Sequence, residues 1–201
     1  MEFVATLVCN RNKARKILKE VNNNSIVLLP ESLWMKRYTV NYYSLTKNLF
    51  IIYNEDVCIE GKHYITMKGV DKGKLKWMVH KYFLWSTGDE YWTPAPKLDP
   101  IVKIRGHTAA IAICYEISKI AGYNKLFPLG KIIKKAKTEI LLMPTDWEFN
   151  WRLPQSVLTS AFNNIPSLKV GVFSCRRELA FVSSKKKRTK ITKKGWVSIE
   201  I

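Results

Sequence analysis

The sequence has no long apolar run. Its uninterrupted apolar stretches, such as residues 26–30 and 111–114, are far shorter than the roughly 20 residues that a helix needs to cross a bilayer. The N-terminus also lacks the basic region and the cleavage site of a secretory signal. These absences predict a soluble, cytoplasmic protein with no membrane partner.

Metal-binding residues are few and dispersed. The three histidines lie far apart at His63, His80 and His107, and the four cysteines include no C-x-x-C pair. A zinc site needs several such ligands at short spacings, so we expect no metal and no cofactor. In a cytosolic chain the scattered cysteines also argue against a disulfide framework, which predicts free thiols.

Acidic residues are scarce relative to basic ones. The chain has 34 Lys and Arg against 16 Asp and Glu, which gives a formal net charge of +18. Such an excess attracts polyanions by counterion release, whatever the fold. Part of it forms a candidate anion-binding segment at Lys185, Lys186, Lys187 and Arg188. The alternative is solvated charge on a fraying tail, and since no nucleic-acid-binding motif accompanies it, we expect at most weak, non-specific nucleic-acid binding.

Length and periodicity predict one α/β domain. At 201 residues and 47% hydrophobic composition the chain can bury a real core without disulfides or metals, and we assign residues 1–184 to the domain and 185–201 to a basic C-terminal segment. Buried strands alternate with helices, and turn signals at 54–56, 60–62 and 71–73 predict a meander between them. This pattern favours a mixed sheet, or two stacked sheets, with helices outside. The predicted strands are 3–8, 25–29, 49–53, 57–59, 63–67, 75–79, 102–104, 108–114, 140–143, 168–173 and 179–183, and the predicted helices are 11–21, 116–122 and 154–162.

Three predicted strand ends each present a different reactive group. They are the carboxylate of Glu31, the ammonium of Lys81 and the thiol of Cys114. A thiol is mostly protonated at neutral pH and needs a nearby base, which a carboxylate in a dry pocket can supply. A lysine and the main-chain N–H of Tyr115 could stabilise an oxyanion. The group therefore suits acyl transfer, although a lone buried cysteine is more often inert.

Four short motifs occur in order along the chain. They are 28–31 (Leu-Leu-Pro-Glu), 80–94 (from His-Lys to Glu-Tyr-Trp-Thr-Pro), 113–116 (Ile-Cys-Tyr-Glu) and 142–147 (Leu-Met-Pro-Thr-Asp-Trp). Together they resemble the motifs of the nitrilase, or carbon-nitrogen hydrolase, superfamily. The resemblance implies a four-layer α-β-β-α sandwich with mixed sheets, usually a homodimer, that acts on a small-molecule amide. By carry-over Glu31 is the general base, Lys81 the oxyanion stabiliser, Cys114 the nucleophile and Glu90 a supporting second glutamate.

The same resemblance implies a substrate pocket formed by Tyr115, Glu116 and Trp147. The chain departs from the family in two places. The stretch between Glu31 and Lys81 looks compressed, as though a helix were trimmed, and a basic run from residue 185 onward is expected to replace the C-terminal strands and arm.

The Cys-Tyr-Glu run at 114–116 is closest to a branch that includes apolipoprotein N-acyltransferases and conjugation-associated nitrilase homologues. Nitrile hydrolysis is not expected, because true nitrilases usually have Trp-Glu after the cysteine. Three functions remain: a cysteine-dependent amidase that works through a thioester, an N-acyltransferase that uses the same acyl-enzyme, or a basic anion- or nucleic-acid-binding protein on a nitrilase scaffold. Intact Glu31, Lys81 and Cys114 favour the first two.

Overall fold

Two six-stranded sheets form the centre of the molecule. The computed structural model describes residues 1–31, 33–84, 91–122, 125–146, 152–176, 180–185, 190–192 and 195–200. Its strands are β1 (Glu2–Thr6), β2 (Ile26–Leu28), β3 (Phe50–Ile59), β4 (Lys62–Asp71), β5 (Lys74–His80), β6 (Ile101–Ile104), β7 (His107–Ile111), β8 (Ala121–Gly122), β9 (Lys125–Leu126), β10 (Ile140–Thr145), β11 (Val170–Cys175), β12 (Ala180–Ser184), β13 (Lys190–Thr192) and β14 (Trp196–Glu200). Sheet A has the order β14-β1-β2-β3-β4-β5, sheet B the order β13-β12-β11-β10-β7-β6, and β8 and β9 form a small hairpin.

Strand direction determines at which end of the sandwich the candidate site residues lie. In sheet A, β1, β2 and β3 are parallel, and two antiparallel pairings through β4 bring β5 into the same direction. In sheet B, β7, β10 and β11 are parallel. A parallel bridge between Leu7 and Cys175 joins the two sheets where β1 and β11 end. The carboxyl ends of all seven strands therefore lie at one end of the sandwich.

Side-chain alternation produces three apolar layers. Along β1, Phe3 and Ala5 enter the core between the sheets, whereas Val4 faces outward. Along β10, Leu142 points inward and Leu141 outward. Because a strand has a period of two, each central strand that is covered on both faces carries apolar residues on both faces.

Helices cover the outer face of each sheet. The helices α1 and α2 pack on sheet A, and α3 and α4 pack on sheet B together with a 3₁₀ helix. The four-layer α-β-β-α sandwich predicted from the sequence is therefore confirmed. The bounds are α1 Arg11–Glu20, α2 Arg37–Thr46, the 3₁₀ helix Cys114–Lys119, α3 Pro128–Lys135 and α4 Arg152–Asn164.

Several local predictions were wrong. The turn predicted at 54–56 does not exist, because β3 runs through it and Asn54 donates to the Thr66 carbonyl across the hairpin at 3.1 Å. The stretch between Glu31 and Lys81 contains a helix, α2, and the element after Cys114 is 3₁₀ in place of the expected α-helix. The segment from residue 185 onward supplies two edge strands, β13 and β14, where no strand was expected.

No helix among the described residues is both long enough and apolar enough to cross a membrane.

Arg105 joins the two sheets at the end opposite the strand carboxyl ends. It lies in the turn between β6 and β7, and its guanidinium donates to the carbonyl oxygens of Asn24 at 2.6 Å and Asn48 at 2.5 Å, and to the Asp71 carboxylate at 3.0 Å. Asn24 and Asn48 directly precede the strand pair formed by β2 and β3. One side chain therefore fixes three chain segments of sheet A against sheet B.

We expect Arg105→Ala to lower the free energy of unfolding by about 2–4 kcal/mol, because it leaves a carboxylate and two carbonyls without their donor. Urea denaturation measures this change. The matched control is Lys103→Ala, an exposed position on the adjoining strand β6, which should cost less than about 0.5 kcal/mol. Equal losses in the two variants would contradict the assigned role of Arg105.

Candidate active site

Three of the predicted site residues follow strands that end at the same edge. Glu31 follows β2, Lys81 follows β5 directly, and Cys114 begins the 3₁₀ helix that follows β7. All three are buried, with exposed fractions of 2%, 1% and 2%. Two charged groups, the Glu31 carboxylate and the Lys81 ammonium, are therefore buried. Buried charges are stable only when they are paired.

Lys81 and Glu31 form that pair. The Lys81 Nζ donates to Glu31 Oε1 at 3.2 Å. The main chain holds the lysine on both sides, since its N–H donates to the Ile65 carbonyl and its own carbonyl accepts from the Ala95 N–H, each at 2.9 Å. Lys81 is therefore fixed by its backbone as well as by its charge.

Cys114 occupies a sharp reversal of the chain. Its φ of +51° lies in the left-handed region, which non-glycine residues rarely adopt and which is often found at functional sites. Burial raises the pKa of the Cys114 thiol well above its usual range, and the Glu31 carboxylate raises it further through its charge and a hydrogen bond. The Lys81 charge and a hydrogen bond from Thr145 act in the opposite direction. The resting thiol is thus protonated at neutral pH, with Glu31 and Lys81 close enough to influence it.

The role of Thr145 was missed by the sequence analysis. Its hydroxyl, fully buried at the end of β10, donates to Cys114 Sγ at 3.4 Å. A donor to sulfur favours the thiolate over the thiol. The signal was present, because Thr145 lies in a motif already singled out and its strand is the parallel neighbour of β7, whose end leads to Cys114.

Glu116 links the two segments that carry Lys81 and Cys114. Its Oε1 accepts from the N–H groups of Tyr82 at 2.7 Å and Phe83 at 3.2 Å, and its Oε2 accepts from the Ile113 N–H at 2.8 Å. Burial raises the pKa of Glu116 to about 7, against the lowering effect of those three amides and of Lys81. Both carboxylate oxygens are engaged by main chain, so its hydrogen bonds give no support to the predicted contact with substrate.

Tyr115, the residue after the cysteine, is half-buried. Lys119 donates to its hydroxyl at 3.1 Å and lies 4.6 Å from the centre of its ring. The same ammonium lies 5.9 Å from the ring of Phe83, which makes an edge contact with Tyr82. Aromatic rings from the Lys81 segment and the Cys114 segment therefore meet around one cation.

The remaining predicted residues are only partly covered by the structure. Lys185 is exposed and donates to the Pro166 carbonyl at 2.8 Å. Within the described ranges, no group of three or more His, Cys, Asp or Glu side chains could hold a metal ion. The predicted residues outside the described ranges are Glu90, Trp147, Lys186, Lys187 and Arg188.

Neither family models nor curated proteins match the sequence. Solved structures do match the fold. A Nesterenkonia AN1 amidase from the nitrilase superfamily superposes with a TM-score of 0.76 at 10% identity. The superposition covers 100% of this chain and 90% of that one. A variant of that amidase carries acrylamide added at its active-site cysteine.

Two further solved structures match the same fold. A CN-hydrolase superfamily protein of Xanthomonas campestris, with an arsenic adduct in its active site, gives a TM-score of 0.75 at 12% identity over 99% of this chain and 89% of that one. Nit3 of Saccharomyces cerevisiae, a member of branch 10 of the nitrilase superfamily, gives 0.72 at 11% identity over 98% and 89%. The chain therefore has the fold of the nitrilase superfamily.

Proposed function

We propose that this protein hydrolyses the C–N bond of a small, non-peptide amide through a thioester on Cys114. The observation that carries the proposal is the buried Lys81–Glu31 pair, 3.2 Å between Nζ and Oε1, beside a buried thiol whose pKa responds to both charges. A protein that used the fold only as a scaffold would gain nothing from burying these groups, because each costs free energy to remove from water.

The raised pKa of the thiol sets the first step. Because Cys114 is protonated at rest, its proton must pass to a base as Sγ attacks the amide carbon, and Glu31 is the carboxylate hydrogen-bonded to it. The new C–S bond places negative charge on the carbonyl oxygen. The Lys81 ammonium and the Tyr115 N–H are the donors that we assign to that oxyanion.

The same proton then drives collapse of the tetrahedral intermediate. Protonated Glu31 gives its proton to the amide nitrogen, the C–N bond breaks, and ammonia or an amine leaves with the thioester still on Cys114. Glu31 next takes a proton from water, and the hydroxide attacks the thioester carbon. The C–S bond breaks, the thiolate regains the proton from Glu31, and a carboxylic acid leaves. If an amine takes the place of water in the second half, the product is a new amide, which is the N-acyltransferase alternative.

We also propose that Glu116 is a positioning residue. Its carboxylate ties the main chain after Lys81 to the main chain before Cys114, so it sets the separation of the two segments. Glu90 and Trp147 stay predictions as the supporting glutamate and as a pocket residue.

Cys114→Ala should reduce amide turnover by at least about a thousandfold, because the nucleophile is lost, while the melting temperature stays nearly unchanged. Intact mass spectrometry after incubation with a mixed amide library should show an acyl adduct on the wild-type protein and none on the variant. Adding an amine then separates hydrolysis from transfer by the product formed. The control, Cys58→Ala, removes an exposed thiol and should keep both adduct and activity. Turnover by Cys114→Ala would eliminate the thioester mechanism.

The raised pKa of Glu116 predicts that the free energy of unfolding depends on pH. Its folded-state pKa of about 7 exceeds the usual 4.5, so between these values the native state holds a proton that the unfolded chain has released. Stability due to this group therefore falls as pH rises through that window, by about 3 kcal/mol in total. Glu116→Gln cannot ionise, so we expect its unfolding free energy, relative to wild type, to increase by about that amount between pH 4.5 and pH 8.

Denaturant titrations at several pH values measure this difference. Glu20→Gln, which alters an exposed glutamate on α1, is the control and should follow the wild-type curve. If the Glu116→Gln and wild-type curves run parallel, Glu116 does not hold a proton in the native state.

A further inference from the structure

Two adjoining cavities lie along α1, and their lining residues do not include Glu31, Lys81 or Cys114. Their volumes are about 610 and 440 Å³, and both are lined by Cys9 and Arg176, so they form one continuous depression. We call it the basic groove. The side chains that give it its character are Arg11, Lys13, Lys16, Trp34, Arg176 and Trp196.

Positive charge dominates the groove. Of its lining residues four are cations and one, Glu20, is a carboxylate, which lies 3.8 Å from Lys16 in an exposed i,i+4 pair. Arg176 forms an ion pair with Asp146, with 3.1 Å between Nη1 and Oδ1. The first turn of α1 contains no acidic residue, so its N-terminal dipole adds to the positive potential. An anion in the groove would meet four cations, of which Lys16 and Arg176 each already pair with one carboxylate.

Two indole rings flank these cations. Trp34 lines one cavity and is 44% exposed, which is unusual for so large an apolar side chain. Trp196 lines the other, at the start of β14, where it packs partly on the core beneath α1. Exposed aromatic faces beside lysine and arginine are the arrangement by which proteins stack nucleobases and bind phosphates.

We propose that the basic groove binds a nucleoside phosphate, either free or as part of a single strand, with the base on an indole ring and the phosphate on Lys13, Lys16 and Arg176. A simple inorganic anion would need the cations alone and would make no use of the exposed ring of Trp34. This binding function goes beyond amide hydrolysis and does not depend on it.

The groove also changes where nucleic-acid binding should be sought. The sequence directed attention to the lysines from residue 185 onward, and deletion after Ser184 would be the direct test of them. That deletion removes β14, and with it Trp196 and the edge of sheet A. Point substitutions in the groove keep the fold and isolate the charge.

The experiment measures binding of ATP, an oligothymidylate and inorganic phosphate to the full chain by calorimetry, between about 50 and 200 mM salt. Lys13→Gln with Lys16→Gln should weaken ATP binding about tenfold, since charge-assisted contacts are lost. The matched control is Lys131→Gln with Lys134→Gln, an exposed pair on α3 with the same spacing and the same loss of charge, which should leave ATP affinity nearly unchanged. Trp34→Ala should weaken ATP by about fivefold or more and leave phosphate unaffected, with exposed Tyr38→Ala as its control.

The probes also separate the two sources of the ligand. One-to-one binding of ATP with a shallow salt dependence supports a free nucleotide, whereas tighter oligothymidylate binding with a steep salt dependence supports a strand. Three results would each overturn the proposal: no binding of any probe, inorganic phosphate bound as tightly as ATP, or equal losses from the groove pair and the α3 pair.

Discussion

The ion pair between Lys81 and Glu31 constrains the rest of the molecule. An ammonium taken out of water is tolerated only next to a carboxylate, and a buried carboxylate only next to donors, so the ends of β2 and β5 must meet at one point. Those strands belong to the same sheet but are separated by β3 and β4. The long hairpin formed by β3 and β4 lies between them and sets their separation. Its Ile65 carbonyl accepts from the Lys81 N–H and so holds the lysine in place. Much of sheet A therefore serves to bring two charges together.

Sheet B delivers the thiol to the same place by a different device. A left-handed φ at Cys114 turns the chain away from β7, and Glu116, two residues later, accepts from amides on both sides of the site. The strain of the reversal is offset by hydrogen bonds that close the turn. Because those amides come from the Lys81 segment as well, the two sheets fix each other's reactive residues.

The parts of this arrangement that the sequence predicts are those with strong local patterns. Apolar runs such as residues 25–29 and 140–143 identify buried parallel strands, and the first of these runs leads to Glu31, the candidate general base. The helix α2 was missed because Tyr38, Tyr42 and Leu45 are exposed, which obscures its amphipathic pattern. The contacts of Glu116 were not predictable, since they depend on which main-chain N–H groups face its carboxylate after folding. Net charge predicted an affinity for anions, and the lysine run placed it at residues 185–188. The cations along α1 and Arg176 could not be grouped from the sequence, because charge counts carry no geometry.

The pairing of β14 with β1 has a consequence for synthesis of the chain. Neighbours in sheet A come from opposite ends of the described sequence, with Glu2 opposite Glu200. While the ribosome is still adding residues, β1 can pair with β2 but keeps its other edge open, and an open edge is a template for pairing with another chain. The nascent protein thus carries an unpaired strand edge until β14 emerges from the ribosome. Closure of that edge needs a contact of very high sequence separation, which is slow to form.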